Sequence, residues 1–241
     1  MNDMPKNKQT VLITGASSGI GLELSHIFAE NGYNLVLTAR REQELKVLAH
    51  ELTGKYSAAV DVLVADLSEA SAPQAIVDAL QSKKLDIDIL ANNAGFGAFG
   101  AVVGIDLKRQ MDMIQVNVTA LTVLTRLLLP AIIARGNGGI LNIASTAAFQ
   151  CGPYMAVYYA TKAYVLSFTE ALAEELKDTN IQVSCLAPGP TRTPFFVRAQ
   201  KERIYNAKSA LANAKDALGM ELLVTPLLCL WQHRLARRLN S

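Results

Sequence analysis

Three side chains in this sequence have the type and spacing needed to move a proton. Tyr158 and Lys162 lie one helical turn apart and share a helix face, and Ser145 falls at the end of the strand that precedes their helix. A phenol with its ordinary pKa of about 10 is a poor base at neutral pH. A neighbouring ammonium favours the phenolate, and a downward shift of about three units would need roughly 4 kcal/mol. A second phenol, Tyr159, is adjacent but rotated about 100° around the helix axis, onto the ridge of Ala163 and Leu166, where a ring serves packing. Tyr158 is therefore the expected acid/base.

A second set of residues forms an anion seat. Residues 11–21, VLITGASSGIG, are an apolar run that breaks into glycines and serines, which predicts a strand, a tight turn and a helix start. Gly15 permits the turn, Gly19 removes the Cβ that would keep a pyrophosphate from the backbone, and Gly21 lets the helix approach the sheet. Together with Ser17, Ser18 and Ile20 they present the unpaired N–H groups and positive dipole end of a helix. The next strand ends in Ala39-Arg40-Arg41. Many NAD-binding units carry an acid there for the adenosine 2′-hydroxyl, whereas two guanidiniums suit a 2′-phosphate, with Ser17 and Ser18 as further donors.

Hydrophobic periodicity supplies the elements that must hold these groups. Leu24, Ile27 and Phe28 recur at helical spacing, Gly32 ends that helix, and residues 34–39 form a buried strand. The alternation continues with a helix through Leu45, Leu48 and Leu52, a strand through Val60, Val62 and Val64, a helix through Ile76 and Leu80, and a strand over 87–91. Beyond a glycine-rich loop at 95–104 come one long helix over 106–134, a strand over 139–144, a helix over 156–177 and a strand over 182–187. Such alternation implies a parallel sheet with helices on both faces. The long helix carries more apolar surface than one stripe explains, which predicts a partner face.

Ligands of such sheets bind outside the carboxyl ends of the strands. After the glycine turn and the arginines, those ends carry Asp66-Leu67, Asn92-Asn93-Ala94-Gly95, Ser145 and Pro188-Gly189. Phe96, Phe99, Phe149, Met155, Phe195 and Phe196 would line an apolar substrate pocket beside them. Residues 15–19 also satisfy G-x-S-x-G, the nucleophile elbow of α/β-hydrolases. That elbow belongs several strands into its fold, and here it opens the chain. His26 and His50 fall on helices, and only His233 comes late enough to serve as its base.

The 241 residues are 51% hydrophobic and 18% charged with formal net charge +2, which fits one domain over 1–241 with a single large core. Residues 198–241 hold eight Lys or Arg against three Asp or Glu. Their spacing fits a solvated helix face better than a nucleic-acid or membrane contact. Cys151, Cys185 and Cys229 are scattered and predict neither a disulfide frame nor a metal site. Apolar stretches are interrupted by Arg126, Pro130 or Pro226 before reaching the ~20 residues of a membrane span, and the first ten residues lack a signal core. A cytoplasmic protein is expected, without membrane insertion or nucleic-acid binding.

In register, these motifs resemble the short-chain dehydrogenase/reductase family, in its NADP(H)-dependent branch near the ketoacyl and ketosteroid reductases. TGASSGIG, NNAG at 92–95, Asn117, Ser145, YYATK at 158–162 and PGPTRT at 188–193 occur in family order over about residues 8–196. The resemblance implies a single-domain Rossmann-like doubly wound sheet of six or seven strands in the order 3-2-1-4-5-6-7. It implies NADP(H) as cofactor, a small carbonyl or alcohol substrate, and a homodimer or homotetramer through the long helix and the Tyr158 helix. Tyr158 would exchange the proton at the substrate oxygen. Lys162 would lower the phenol's pKa and bond the nicotinamide ribose, Ser145 would hold the carbonyl oxygen, and Asn117 would keep a water relay. Asp66 and Leu67 would border the adenine, Asn93, Ala94 and Gly95 the adenosine-side ribose, and Pro188, Gly189 and Thr193 the nicotinamide end. The departure is the carboxyl end, where about 195–241 forms an atypical substrate-lid segment. A non-catalytic NADP(H) sensor or scaffold with the same fold is the alternative.

Overall fold

The computed structural model describes residues 8–189 and Ala199, all within one compact unit, Met1–Arg203. Six parallel strands form one sheet in the order β3-β2-β1-β4-β5-β6. They are β1 (Thr10–Thr14), β2 (Asn34–Ala39), β3 (Val60–Val64), β4 (Ile89–Asn92), β5 (Gly138–Ile143) and β6 (Ile181–Leu186). The order reverses between β1 and β4, where Val11, Leu12 and Ile13 pair with Ile89, Leu90 and Ala91. This is the expected sequence of strands through the sixth. The proposed seventh, the lid segment, Thr193, Phe195 and Phe196 lie outside the described residues.

Period-two burial divides the core between two helical layers. On β1, Val11 and Ile13 face α1 (Ile20–Glu30) and α2 (Glu42–Tyr56) with Leu45, Leu48 and Leu52. Leu12 faces the opposite layer, with Ile76 and Leu80 of α3 (Ala72–Ser82) and Leu124, Leu128 and Ile132 of α5 (Leu121–Arg135). Leu172 and Leu176, at the end of α6 (Ala156–Glu175), join that second layer. All three β1 residues are fully buried. Burying each such side chain is worth about 1.5–3 kcal/mol.

The long helix expected over 106–134 is not one regular α-helix. It comprises α4 (Leu107–Ile114), a π turn at Gln115–Ala120 and α5. Its start is fixed by Asp106, whose Oδ1 accepts the backbone N–H of Arg109 at 3.1 Å. A π turn admits an extra residue per turn, so the apolar stripe is rephased where Asn117 must point inward. Hydrophobic periodicity hides this because helical spacing is kept on both sides of the insertion.

Residues Leu107–Arg135 are long and apolar enough to cross a membrane by length and composition, with mean hydropathy 1.8 over their most apolar 18 residues. Leu124, Leu128 and Ile132 of this stretch are committed to the core. Others are open: Leu107 is 71% exposed and Met111 54%, beside Val103 at 95% in the preceding turn.

Candidate active site

The carboxyl ends of the strands enclose a cleft of about 370 Å³ that runs from Arg40 and Arg41, past Gly15, Ser17 and Ser18, to Ser145, Tyr158, Lys162 and Gly189. Of the residues singled out in the sequence, Gly19, Ile20, Asp66, Leu67, Asn93, Ala94, Gly95 and Pro188 also line it. Asn117 and Gly21 are not on its wall. They support it from behind.

At the first end, β1 leads into the glycine turn and α1. Gly21 must lack a side chain, because a Cβ there would stand 2.4 Å from Asn93 Nδ2 and 2.5 Å from the Gly15 carbonyl oxygen. Asn93 Nδ2 donates to the Thr14 carbonyl at 2.8 Å and to the Gly15 carbonyl at 3.3 Å. Thr14 Oγ1 in turn accepts the N–H groups of Asn93 and Ala94 at 3.0 and 2.9 Å. The β4 end thus clamps the turn. Thr14 was missed in the sequence, where its only signal is a hydroxyl just before the first glycine. No side chain caps α1, whose N-cap is Gly19, so its first turn faces the cleft with its backbone donors.

The two arginines have different settings. Arg41 Nη2 donates to the Ser17 carbonyl and to Ser17 Oγ, both at 3.0 Å, and its Nη1 lies 3.3 Å from Glu44 Oε1. Arg40 is more open, with Nη1 3.7 Å from Asp66 Oδ2. Burial would raise the Asp66 carboxyl, but the Ser68 N–H and hydroxyl, then Arg40, outweigh it and hold it below its ordinary value. Two guanidiniums at the end of β2 beside a bare helix N-terminus fit a dinucleotide with a phosphorylated ribose.

At the second end, the side chain of Asn117 joins three elements. Its Oδ1 accepts the Phe96 N–H at 3.1 Å, and its Nδ2 donates to the Phe96 carbonyl and to Thr161 Oγ1, both at 3.0 Å. The π turn therefore ties the loop after β4 to α6. Thr161, inside YYATK, was not singled out in the sequence, although it lies on the helical turn between Tyr158 and Lys162. A buried ladder extends this anchoring: Asn92 Nδ2 donates to Thr125 Oγ1 and Asn142 Oδ1, and Asn142 Nδ2 donates to Thr169 Oγ1. It fastens α5 and α6 to the strands between them.

Lys162 is 5% exposed, and its Nζ donates to the Ile143 carbonyl at 2.7 Å. Burial pushes its pKa down from 10.5 to about 8. Burial lifts the Tyr158 phenol above its ordinary value, while its hydrogen bond with Ser145 acts in the opposite direction. Lys162 Nζ lies 5.9 Å from the centroid of the phenol ring.

Two further observations concern the lining. A Cβ on Gly95 would lie 3.2 Å from Asn117 Oδ1 and 3.5 Å from Lys162 Nζ, so this glycine stands beside the buried lysine. Of the described aromatics expected in the pocket, Phe96 lines the cleft, as does Met155. Phe149 does not and is 45% exposed, while Phe99 stacks on Tyr154 at 5.9 Å between centroids. Arg109, missed because it lies on a helix read as a partner face, lines the cleft too. For the hydrolase alternative, Ser17 Oγ is engaged by Arg41, and His26 and His50 lie on α1 and α2, away from the cleft wall.

A six-stranded, doubly wound sheet with this cleft at its switch point defines a dinucleotide-binding α/β protein. A family model described as short chain dehydrogenase matches residues 9–204, and the chain belongs to that family. It is 36% identical over 192 residues to an NADP-dependent 3-hydroxy acid dehydrogenase of Schizosaccharomyces pombe, covering 78% of this chain and 74% of that one. It is 36% identical over 223 residues to a sulfoacetaldehyde reductase of Chromohalobacter salexigens, covering 89% of this chain and 87% of that one. Among solved structures, a short-chain dehydrogenase from Sphingobium yanoikuyae in complex with NADPH superposes with TM-score 0.75 at 39% identity, covering 79% of this chain and 74% of that one.

Proposed function

We propose that the protein is an NADP(H)-dependent oxidoreductase that interconverts a carbonyl and an alcohol, with Tyr158 as the group that exchanges the proton. The observation that carries this reading is the convergence of Ser145, Tyr158 and Lys162 at one end of a cleft whose other end holds the glycine turn and two arginines. Relatives described as NADP-dependent or in complex with NADPH support the cofactor. When bound, NADPH supplies the hydride, and the chain supplies position and a proton.

In the reductive direction Ser145 Oγ and the Tyr158 hydroxyl hold the substrate oxygen, and the phenol donates its proton as charge develops there. Burial keeps that phenol protonated at neutral pH, the state a donor needs. The Lys162 ammonium, fixed by the Ile143 carbonyl, offsets the charge of the phenolate that results. The Asn117 amide is occupied by Phe96 and Thr161, so we assign it an anchoring role. The reading keeps a proton relay at Asn117, next to the lysine. At the far end Arg40 and Arg41, with Ser17 and Ser18, would hold the 2′-phosphate, the glycine turn the pyrophosphate, and Asp66 and Leu67 the adenine. Pro188, Gly189 and Thr193 complete the nicotinamide end.

NADPH should bind more tightly than NADH by roughly ten- to a hundredfold, as expected of a charge-assisted pair of about 1.5–3 kcal/mol. Arg40→Asp should flatten or reverse that order in fluorescence titration. Equal affinities in the parent protein would remove the assignment of the arginines. Arg41→Ala should weaken both cofactors, because Arg41 also steadies the turn at Ser17.

The reading places the chain in the cytoplasm, with 1–241 serving one catalytic domain in a homodimer or homotetramer. The free thiols Cys151 and Cys185 accord with a reducing compartment. Leu107, Met111 and Val103, with Tyr164 of α6 at 38% exposure, accord with a shared helical interface. Sedimentation at micromolar concentration should show a dimer or larger, and a monomer alone would contradict the interface. Steady-state oxidation of NADPH with a panel of ketones, aldehydes and acyl thioesters tests the activity. A protein that binds NADPH and reduces none of them is the sensor or scaffold alternative.

A further inference from the structure

We propose that the Tyr159 ring, seated on Gly152, sets the size limit of the substrate pocket, admitting ketones in which one group on the carbonyl is small and apolar. The inference rests on the oxidoreductase reading and names its substrate class. Tyr159 is half-buried and lines the cleft, and its ring meets the Tyr158 ring edge-on, with centroids 6.0 Å apart and planes at 77°. Phe96, Ala147 and Met155 line the same cleft and pack in one cluster with the two phenols. An apolar wall therefore stands beside the proposed proton donor.

The wall is braced from behind. A Cβ on Gly152 would lie 2.4 Å from Tyr159 Cδ2 and Cε2 and 2.5 Å from its Cγ, so the ring rests directly on the backbone of that loop. The Gly152 carbonyl accepts the Met155 N–H and the Met155 carbonyl accepts the Tyr159 N–H, both at 3.0 Å, which fixes two side chains of the wall to one stretch of chain. Inside that stretch Tyr154 sits at φ 65°, a left-handed backbone that a bulky residue adopts only under restraint. The restraint comes from the loop after β4. The Tyr154 carbonyl accepts the Gly100 N–H at 2.8 Å, and its ring stacks on Phe99 with centroids 5.9 Å apart. Phe96 belongs to that same loop, so the two loops that carry the wall hold each other. A ring packed in this way cannot swing aside for extra methylenes, and overpacking against it costs binding. The seat also has a direction: a side chain at Gly152 would press the ring off the loop, towards Tyr158 and the cleft.

The test uses pentan-2-one and heptan-4-one, which share a propyl group and differ in the second group, methyl against propyl. Oxidation of NADPH by the full chain should give pentan-2-one a kcat/KM at least about tenfold above heptan-4-one. In Tyr159→Ala that ratio should fall about tenfold or more, through a gain on heptan-4-one, while NADPH affinity holds. Tyr159→Phe, which keeps the ring, should retain the parent ratio, and Tyr159→Val should follow Tyr159→Ala and replace it if that variant does not fold. Gly152→Ala probes the seat with the ring in place. It should raise the ratio about tenfold, mainly through KM for heptan-4-one, yet change it by less than about twofold once Tyr159 has been truncated. A ratio near one in the parent protein, an unchanged ratio in the truncated variant, or an equal effect of Gly152→Ala in both backgrounds overturns the proposal and leaves the oxidoreductase reading standing. Ligand-observed NMR titration of the NADP⁺ complex with the two ketones, which cannot be reduced there, reads the same wall without turnover. A preference for pentan-2-one that disappears on truncation of Tyr159 supports the size limit even if neither ketone is reduced by NADPH, an outcome that would count against the oxidoreductase reading alone. Equal binding of the two ketones to the parent complex, or binding of neither, overturns the size limit.

Discussion

Tyr158→Phe is expected to leave NADPH binding nearly unchanged and to cut turnover by about 10² or more, whereas Tyr159→Phe keeps most of the activity. The first substitution removes only the hydroxyl that exchanges the proton. The ring stays in its cluster with Ala98, Met113 and Ala147, so the fold has no reason to suffer. Tyr159 also borders the cleft, which makes the comparison a demanding one. Its ring, however, lies flat against the chain at Gly152, where a Cβ would come within 2.4 Å of Tyr159 Cδ2. That contact is apolar and survives in phenylalanine. Steady-state kinetics with the best carbonyl from the panel checks both variants, and a larger loss in Tyr159→Phe would move the catalytic role to the neighbouring phenol.

Lys162→Met is expected to abolish most of the turnover, by about 10² or more, and at the same time to stabilise the protein at pH 7. The ammonium is buried with the Ile143 carbonyl as its hydrogen-bond acceptor, and its pKa is depressed to about 8 from 10.5. Holding it protonated inside the fold costs roughly 3 kcal/mol at neutral pH. Methionine removes that cost and leaves the Ile143 carbonyl without this donor, a loss of about 1 kcal/mol. A net gain of about 2 kcal/mol corresponds to several degrees in melting temperature. The pH dependence fixes the cause. Below about pH 8 the lysine is protonated in both folded and unfolded chains, and its full penalty applies. Between about pH 8 and 10.5 the unfolded chain binds more protons than the folded one, so the parent protein gains stability as pH rises. The advantage of Lys162→Met should therefore be largest at pH 7 and shrink across that window. An advantage independent of pH would mean that packing, not charge burial, separates the two proteins.

The alternation of apolar runs made the sheet and its layers legible, because strands buried on both faces and helices buried on one obey different periods. Residues 34–39 are a strand in both the sequence reading and the structure. The glycine turn was equally open to reading, since its backbone demands leave few choices of residue. What escaped was whatever lacks a period of its own. The π turn at Gln115–Ala120 is one inserted step inside a helical pattern. Thr14 and Thr161 act through hydroxyls that reach across from other elements, and nothing local marks them. Arg109 escaped because the whole helix over 106–134 was read as a partner face, while this residue lines the cleft. Nor does residue type alone predict the balance at Tyr158 and Lys162, because both shifts come mainly from burial by the surrounding chain.

Hydride is expected to pass directly between NADPH and a carbonyl carbon held at Tyr158. Reduction of a competent ketone with NADPH deuterated at the transferable position, followed by mass spectrometry of the alcohol, tests it most directly. One deuterium is expected on the carbinol carbon in the parent protein, with a rate of labelled alcohol formation about 10² or more lower in Tyr158→Phe. Labelled alcohol formed equally fast by Tyr158→Phe, or alcohol formed without the label, would contradict it.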